Sequence, residues 1–163
     1  MIIMSLVYHF FLIMPTLALN KHGLHDYSIL DTFEAGIVLS GAETKSARGG
    51  HINLKGSFVT LKNNEVWLLN MHISPYAFSS KRIGYDPIRS RKLLLKRKEI
   101  AYLTGKLQEK GLTALPLKIY TLKQMIKVEI GIGRGKQQYE KRELLKKRAI
   151  EREMRSATMR NKR

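Results

Sequence analysis

The chain has 163 residues, 44% of them hydrophobic, and carries 30 Lys/Arg against 13 Asp/Glu for a formal net charge of +17. That length and apolar fraction suit one domain with a real core plus an appendage and exclude a wholly disordered chain, while the positive excess points to a nucleic acid, or less often an anionic membrane, as partner. Without cysteine, disulfide frameworks, thiolate zinc sites and cysteine nucleophiles are excluded.

The opening stretch "MIIMSLVYHFFLIMPTLALN" has no charged side chain before Lys21 and nearly the length needed to span a bilayer. It lacks the basic segment of a secretory signal, and Pro15, His9 and Ser5 weaken a membrane helix. Residues 1–18 are therefore set apart as an over-called start or nonfunctional extension, ahead of a membrane anchor or a signal. From Tyr27 the pattern is β: "YSILDTFEAGIVLSG" holds two short apolar runs. A short helix fits Ala42–Arg48. "GSFVTLKNNEVWLLN" predicts a hairpin, with Asn63 and Asn64 at the two positions of a tight turn that demand φ > 0.

Ile100, Leu103 and Leu107 fall at helical spacing and predict a helix from about Lys96 to Lys110, with Gly111 as its stop. Period-two alternation then places Leu115, Leu117 and Ile119 on one face of a strand, and Ile126, Val128, Ile130 and Ile132 on one face of the next. These elements predict a mainly β domain over 19–134, a small closed antiparallel barrel with one or two flanking helices, a fold that commonly binds oligonucleotides on one sheet face. "GIGRG" lacks the spacing and context of a dinucleotide fingerprint and reads as a strand running into a flexible joint.

Charge is focused in two places. Segment 81–98 has eight Lys/Arg against one Asp, and 135–163 has 11 Lys/Arg against 4 Asp/Glu. In the first, Lys81, Arg82, Arg89, Arg91, Lys92, Lys96, Arg97 and Lys98 read as phosphate contacts, since so many like charges repel without a counter-charge. Tyr76 or Tyr85 is placed to stack on an unpaired base. The Glu34 carboxylate is open between burial, pairing with a basic neighbour, and accepting a hydrogen bond from a base or ribose. The second segment, a tail, is rich in helix formers but poor in large apolar residues, so it is expected to be disordered alone and helical on binding. His22, His25 and Asp26 match no common metal spacing, and no nucleophile has an identifiable base. A binding protein without cofactor or metal is expected, not an enzyme.

Seven motifs in order, "LNKHGLHDYSIL", "FEAGIVLSGAETKSAR", "NLKGSFV", "HISPY", "DPIRSRKLLL", "KGLTALPLKIY" and "KVEIGIGRGK", together resemble the SsrA-binding protein family, small protein B. The resemblance implies a barrel of the oligonucleotide-binding type that holds the tRNA-like domain of transfer-messenger RNA (tmRNA). It also implies a cytoplasmic partner of the stalled ribosome, acting in trans-translation, whose basic tail becomes a helix in the empty mRNA channel beside the decoding site. No small-molecule substrate and no membrane partner are implied.

By position, the residues resembling the family's RNA-contact or RNA-dependence positions are Asn20, Tyr27, Glu34, Lys45, Arg48, Arg91, Lys92, Leu94 and Lys127, to which the basic run adds Arg89. Leu94 is expected to pack and shape the surface rather than touch RNA. In the tail, Gly135, Lys136, Tyr139, Lys141, Arg142, Lys146, Lys147 and Arg148 are the expected ribosome contacts. The family's usual G-K-K-x-x-D-K-R is here "GKQQYEKR", departing at Gln137 and Glu140, with Tyr139 where some members carry His. The uncharged N-terminal stretch has no counterpart in the pattern. A generic RNA- or ribosome-associated protein on the same barrel is the alternative.

Overall fold

The structure, a computed structural model, describes residues 15–79, 84–136 and Met154. Within 15–136, nine strands and three helices follow in order among the described residues: β1 (Thr16–Leu19), α1 (Lys21–Asp26), β2 (Tyr27–Ile37), α2 (Gly41–Arg48), β3 (Ile52–Asn53), β4 (Phe58–Lys62), β5 (Glu65–Leu69), β6 (His72–Ile73), β7 (Arg91–Leu94), α3 (Arg97–Gln108), β8 (Leu112–Leu122) and β9 (Met125–Gly135). Seven strands form one antiparallel sheet in the order β1-β8-β4-β5-β7-β2-β9, and β8 also pairs with β9. The pairings thus return to β8 and make a circuit, completed on the other side by a single β4–β8 pairing, Val59 opposite Ala114. The mainly β architecture expected from the alternation is present, in the OB-like form that the family resemblance implies.

The hairpin turns follow from their residues. Asn63 and Asn64, at φ 52° and 57°, close β4 onto β5, and Lys123 and Gln124, at φ 45° and 66°, do the same between β8 and β9. Both are two-residue turns with left-handed backbone, the geometry that matches strand twist. Helix α3 begins where the Lys96 N–H donates to Glu99 Oε2 at 2.8 Å and buries Leu103 fully, with Ile100 and Leu107 packed at the core margin. It ends at Gln108, two residues before the expected end, and Gly111, at φ 82°, turns the chain into β8.

The core collects Ile126, Val128, Ile130 and Ile132 from one face of β9, as their alternation predicts. On β8 the expected face is corrected. The register shifts between Pro116 and Lys118, so Ala114 lies opposite Ile132, Pro116 opposite Ile130 and Ile119 opposite Val128. Proline, which has no N–H for the ladder, sits at this bulge. Ala114 and Ile119 therefore belong to the core, while Leu115 and Leu117 are buried on the other side. Leu117 lies over Gly131, where a Cβ would come within 2.9 Å of its side chain. Close packing, rather than a joint, accounts for that glycine, and β9 runs on through Gly135.

Two elements gave no sequence signal. Thr16–Leu19, mostly within the stretch set apart as an extension, pairs with β8. Helix α1, for which no element was expected, is fixed by Asn20. This side chain accepts from the Gly23 N–H at 2.9 Å and donates to the Pro116 carbonyl at 2.8 Å, and its own N–H reaches the Leu117 carbonyl at 2.8 Å. Asn20 so caps the helix and satisfies backbone groups left open by the β8 bulge. Gly23 lets α1 lie that close: an added Cβ would stand 2.5 Å from Leu115 Cδ1 and 2.7 Å from Asn20 Nδ2. Replacing Gly23 by Ala should destabilise the protein by about 1–3 kcal/mol through overpacking, read as a lower urea midpoint; an unchanged midpoint would show that α1 is not tightly seated.

Candidate nucleic-acid interface

Register places the site residues. Gly36 of β2 lies opposite Leu94 of β7 and opposite Lys127 of β9, and Lys127 lies opposite Tyr120 of β8. One step along, Glu34 lies opposite Glu129, and Glu129 opposite Lys118. Because Ala35, Leu93 and Val128 point into the core, their alternate neighbours turn outward. The outer face of these four strands therefore gathers Leu94, Glu34, Lys127, Glu129 and Lys118 into one patch, with Tyr120, itself buried, on the same side.

Its electrostatics are local and balanced. Lys127 Nζ is 3.1 Å from Glu34 Oε1, the Tyr120 hydroxyl donates to Glu34 Oε2, and Lys118 Nζ is 2.8 Å from Glu129 Oε2. Lys118 also stands 5.4 Å from the centre of the Tyr120 ring. The Tyr120 bond lowers the Glu34 carboxyl below its ordinary range; slight burial works against this and Lys127 reinforces it. Burial raises the Tyr120 phenol, and the bond to Glu34 adds to the rise. Tyr120 is thus a donor and Glu34 a charged acceptor at neutral pH. Two acids facing two lysines make this a hydrogen-bonding surface with little net charge, suited to reading base edges and ribose hydroxyls rather than only gripping phosphates.

Beside this patch runs a groove of about 400 Å³ lined by Gly36, Leu94, Met125 and Lys127, with Thr44 and Gln124 at its rim. Leu94 and Met125 are 53% and 56% exposed, so Leu94 is corrected from a packing residue to an exposed apolar wall. Gly36 keeps the floor open; a Cβ there would come 3.3 Å from Leu94 Cβ. Arg48 joins the same end of the barrel, its Nη2 donating to the Gln124 carbonyl at 2.7 Å. Lys45, exposed on α2, stands 5.6 Å from the Tyr76 ring centre.

Asn20, Tyr27, Gly135 and Lys136 lie at the far end of β2. Tyr27 pairs with Gly135, and seven residues of strand, roughly 20 Å at ~3.3 Å per residue, separate it from Glu34. Here a cleft of about 430 Å³ is lined by Asn20, His22, Tyr27, Phe58 and Thr113. The Lys136 N–H donates to the Asp26 carbonyl at 2.8 Å, and its ammonium donates to the carbonyls of His25 and Leu24 at 3.2 and 3.5 Å. The chain therefore leaves the barrel tied to α1. Tyr139, Lys141, Arg142, Lys146, Lys147 and Arg148, with the expected binding-induced helix, lie outside the described residues, as do Lys81 and Arg82.

The basic run is corrected most. Arg91 is fully buried and cannot present its guanidinium to a phosphate. Its Nε donates to Glu43 Oε1 at 3.0 Å, and its other nitrogens donate to the carbonyls of Met71, Arg89 and Pro87. Arg89 reaches the same carboxylate, its Nε 2.8 Å from Glu43 Oε1. Lys92 pairs with Glu65 on the neighbouring strand. Tyr85 donates its hydroxyl to the Ile73 carbonyl, and burial raises its pKa, so it braces the segment after β6 instead of standing free for a base. Lys96, Arg97 and Lys98 remain exposed where α3 begins.

Sequence reasoning missed Glu43, Tyr120, Lys118 and Glu129. Glu43 carried a signal in Ser40-x-x-Glu43, a capping box in which the Ser40 N–H donates to Glu43 Oε2 at 2.8 Å. Among the described residues no three His, Cys, Asp or Glu are grouped to hold a metal, and no helix is long and apolar enough to cross a membrane.

Burial pushes the Glu43 carboxyl upward, but the Arg89 hydrogen bond, the Ser40 N–H and Arg91 outweigh it, and its pKa lies below the ordinary value. A carboxylate held below its unfolded pKa stabilises the protein above about pH 4.3 and loses that contribution as pH falls through the folded value. Glu43→Gln leaves buried Arg91 without its counter-charge and should cost about 3–5 kcal/mol at pH 7, by urea unfolding. The difference from wild type should shrink below about pH 4; a constant difference would contradict the assignment.

Comparison with known proteins places this geometry. A model of the SmpB protein family matches residues 17–160. The SsrA-binding protein of Sulfurihydrogenibium sp. (strain YO3AOP1) is 52% identical over 137 residues, 84% of this chain and 90% of that protein. That of Gloeothece citriformis (strain PCC 7424) is 50% identical over 141 residues, 86% and 91% of the two chains. A chain in the solved structure "tmRNA-SmpB: a journey to the center of the bacterial ribosome" superposes with a TM-score of 0.63 at 45% identity, covering 74% of this chain and 85% of that one.

Proposed function

Because the chain belongs to the SmpB family of SsrA-binding proteins, we propose that it binds the tRNA-like domain of tmRNA on its barrel and accompanies it to ribosomes stalled on mRNA. The observation that carries this reading is the outer patch where β7, β2, β9 and β8 bring Leu94, Glu34, Lys127 and Tyr120 together. These residues come from widely separated parts of the chain, yet they form one surface with donors, an acceptor and an apolar wall. Arg48 and Lys45 extend it with exposed cations that hold phosphate, while Asn20 and Arg91 act from inside by fixing α1 and β7. Arg89 and Lys92 are already paired and contribute by keeping the surface in place.

The tail then serves the ribosome. Lys136 leaves the barrel beside Tyr27, at the end opposite Lys127, so an RNA held at one end leaves the basic segment at the other unobstructed. In this reading 137–163, led by Tyr139, Lys141 and Arg142 and followed by Lys146, Lys147 and Arg148, enters the empty mRNA channel as a helix, next to the decoding site. Gly135 and Lys136 set where it starts. Among the described residues the strands run from Thr16 to Gly135, against the barrel expected over 19–134 and the tail expected over 135–163.

Reversing charge with Lys127→Glu removes a donor and sets a third acid beside Glu34 and Glu129. It should weaken binding of the tRNA-like domain at least tenfold, in a filter-binding titration at fixed salt. Truncation after Lys136, which spares β9, should leave that affinity within about twofold and abolish tagging of stalled peptides in a translation extract. Tagging by the truncated protein would remove the tail from the mechanism. Unchanged RNA affinity in Lys127→Glu would remove the patch.

A further inference from the structure

A second feature lies apart from the outer patch, on the segment after β6. Phe78 is 87% exposed, the most exposed large hydrophobic side chain among the described residues. Its ring packs against Tyr76 with centroids 5.6 Å apart and planes at 63°, and the Lys45 ammonium stands 5.6 Å from the Tyr76 centroid. The backbone beneath is fixed. Ser46 of α2 donates its hydroxyl to the Ser74 carbonyl at 2.6 Å, the Ser74 N–H donates to the His51 carbonyl at 3.1 Å, and the Ser79 N–H closes a turn onto the Tyr76 carbonyl at 3.0 Å.

We propose that Phe78, held against Tyr76 and flanked by Lys45, is a stacking platform for an unpaired RNA base. Three facts favour RNA as the occupant. An aromatic face is the sequence-tolerant partner of an unstacked base. A cation beside it supplies a charge for the adjoining phosphate. The protein that carries it has a net charge of +17, which draws polyanions to whatever surface is exposed. A phenyl ring so exposed, on a turn closed by the Ser79–Tyr76 hydrogen bond and anchored through two more at Ser74, loses little freedom when a base lands on it. The inference rests on the RNA-binding reading above; it shares Lys45 with the edge of the outer patch and adds Tyr76 and Phe78, which the patch does not use.

The test uses the full chain with two probes at fixed salt: a short oligoadenylate, which offers only unpaired bases, and the structured tRNA-like domain. Phe78→Ala and the double variant Tyr76→Ala/Phe78→Ala should bind oligoadenylate roughly tenfold more weakly than wild type. Phe78→Trp should keep the affinity and show quenching of its indole emission at saturation, after subtraction of the wild-type Trp67 signal. Lys127→Glu should weaken binding of the tRNA-like domain more than that of oligoadenylate, and the two alanine variants should do the reverse, so loss of the outer patch and loss of the platform are separable. Thermal unfolding midpoints within a degree or two of wild type would exclude a folding defect. Wild-type oligoadenylate affinity in both alanine variants would overturn the proposal, as would a Phe78→Trp emission that RNA leaves unchanged. Weaker ribosome association with oligoadenylate binding preserved would also overturn it, assigning the rings to a protein surface.

Discussion

Strand side chains alternate faces, and a slip of one residue would turn every outward group inward. In this barrel the β7–β2–β9–β8 register is where that constraint matters most. It points Val128, Ile130 and Ile132 into the core and thereby forces Lys127 and Glu129 out. The same register brings Glu34 to Lys127 and Tyr120 to Lys127's other side. The bulge at Pro116–Lys118 is essential here, since it returns Ile119 to the core face and turns Tyr120 toward the outer one. The side chain of Asn20 then accommodates the irregular backbone by bonding to the Pro116 carbonyl. Core, patch and α1 are consequences of one alignment.

Charge shows a second dependence, on distance along the chain. Glu43 lies 46 residues from Arg89 and 48 from Arg91, and Glu65 lies 27 from Lys92. Within segment 81–98 these bases look uncompensated, so a run of like charge reads as a surface waiting for phosphate. The fold supplies acids from α2 and β5 instead. Arg91, with its nitrogens shared among Glu43 and three backbone carbonyls, is a strut between α2, β7 and the segment after β6. Removing such a charge would disturb the surface it supports, so an effect on RNA at that position, as the family resemblance implies, requires no contact from a side chain that solvent does not reach.

What the amino-acid pattern made legible was local. Paired asparagines specified the β4–β5 turn, helical spacing of Ile100, Leu103 and Leu107 specified α3, and the alternation in β9 specified its core face. What it concealed was non-local. The β8 bulge broke an apparently clean alternation. Thr16–Leu19 became a strand because β8 offered it an edge, and α1 formed on the cap and close approach provided by Asn20 and Gly23. Of the site, Glu34 was singled out from the sequence with its role left open and Lys127 came from family motifs, whereas Tyr120 and Lys118 became visible only when the register set them beside Glu34 and Glu129. No spacing rule links residues 34, 94, 120 and 127.

The proposed function divides labour: the barrel selects the RNA, and the segment beyond Lys136 serves the ribosome. It is tested most directly by competition binding at one stated salt concentration, because phosphate contacts make affinity steeply salt-dependent. The full chain and the chain ending at Lys136 would each be titrated with the tRNA-like domain of the host's tmRNA against bulk tRNA. Equal preference for the tRNA-like domain in both proteins is the predicted result. No preference in either, or a preference that vanishes with the tail, would contradict it.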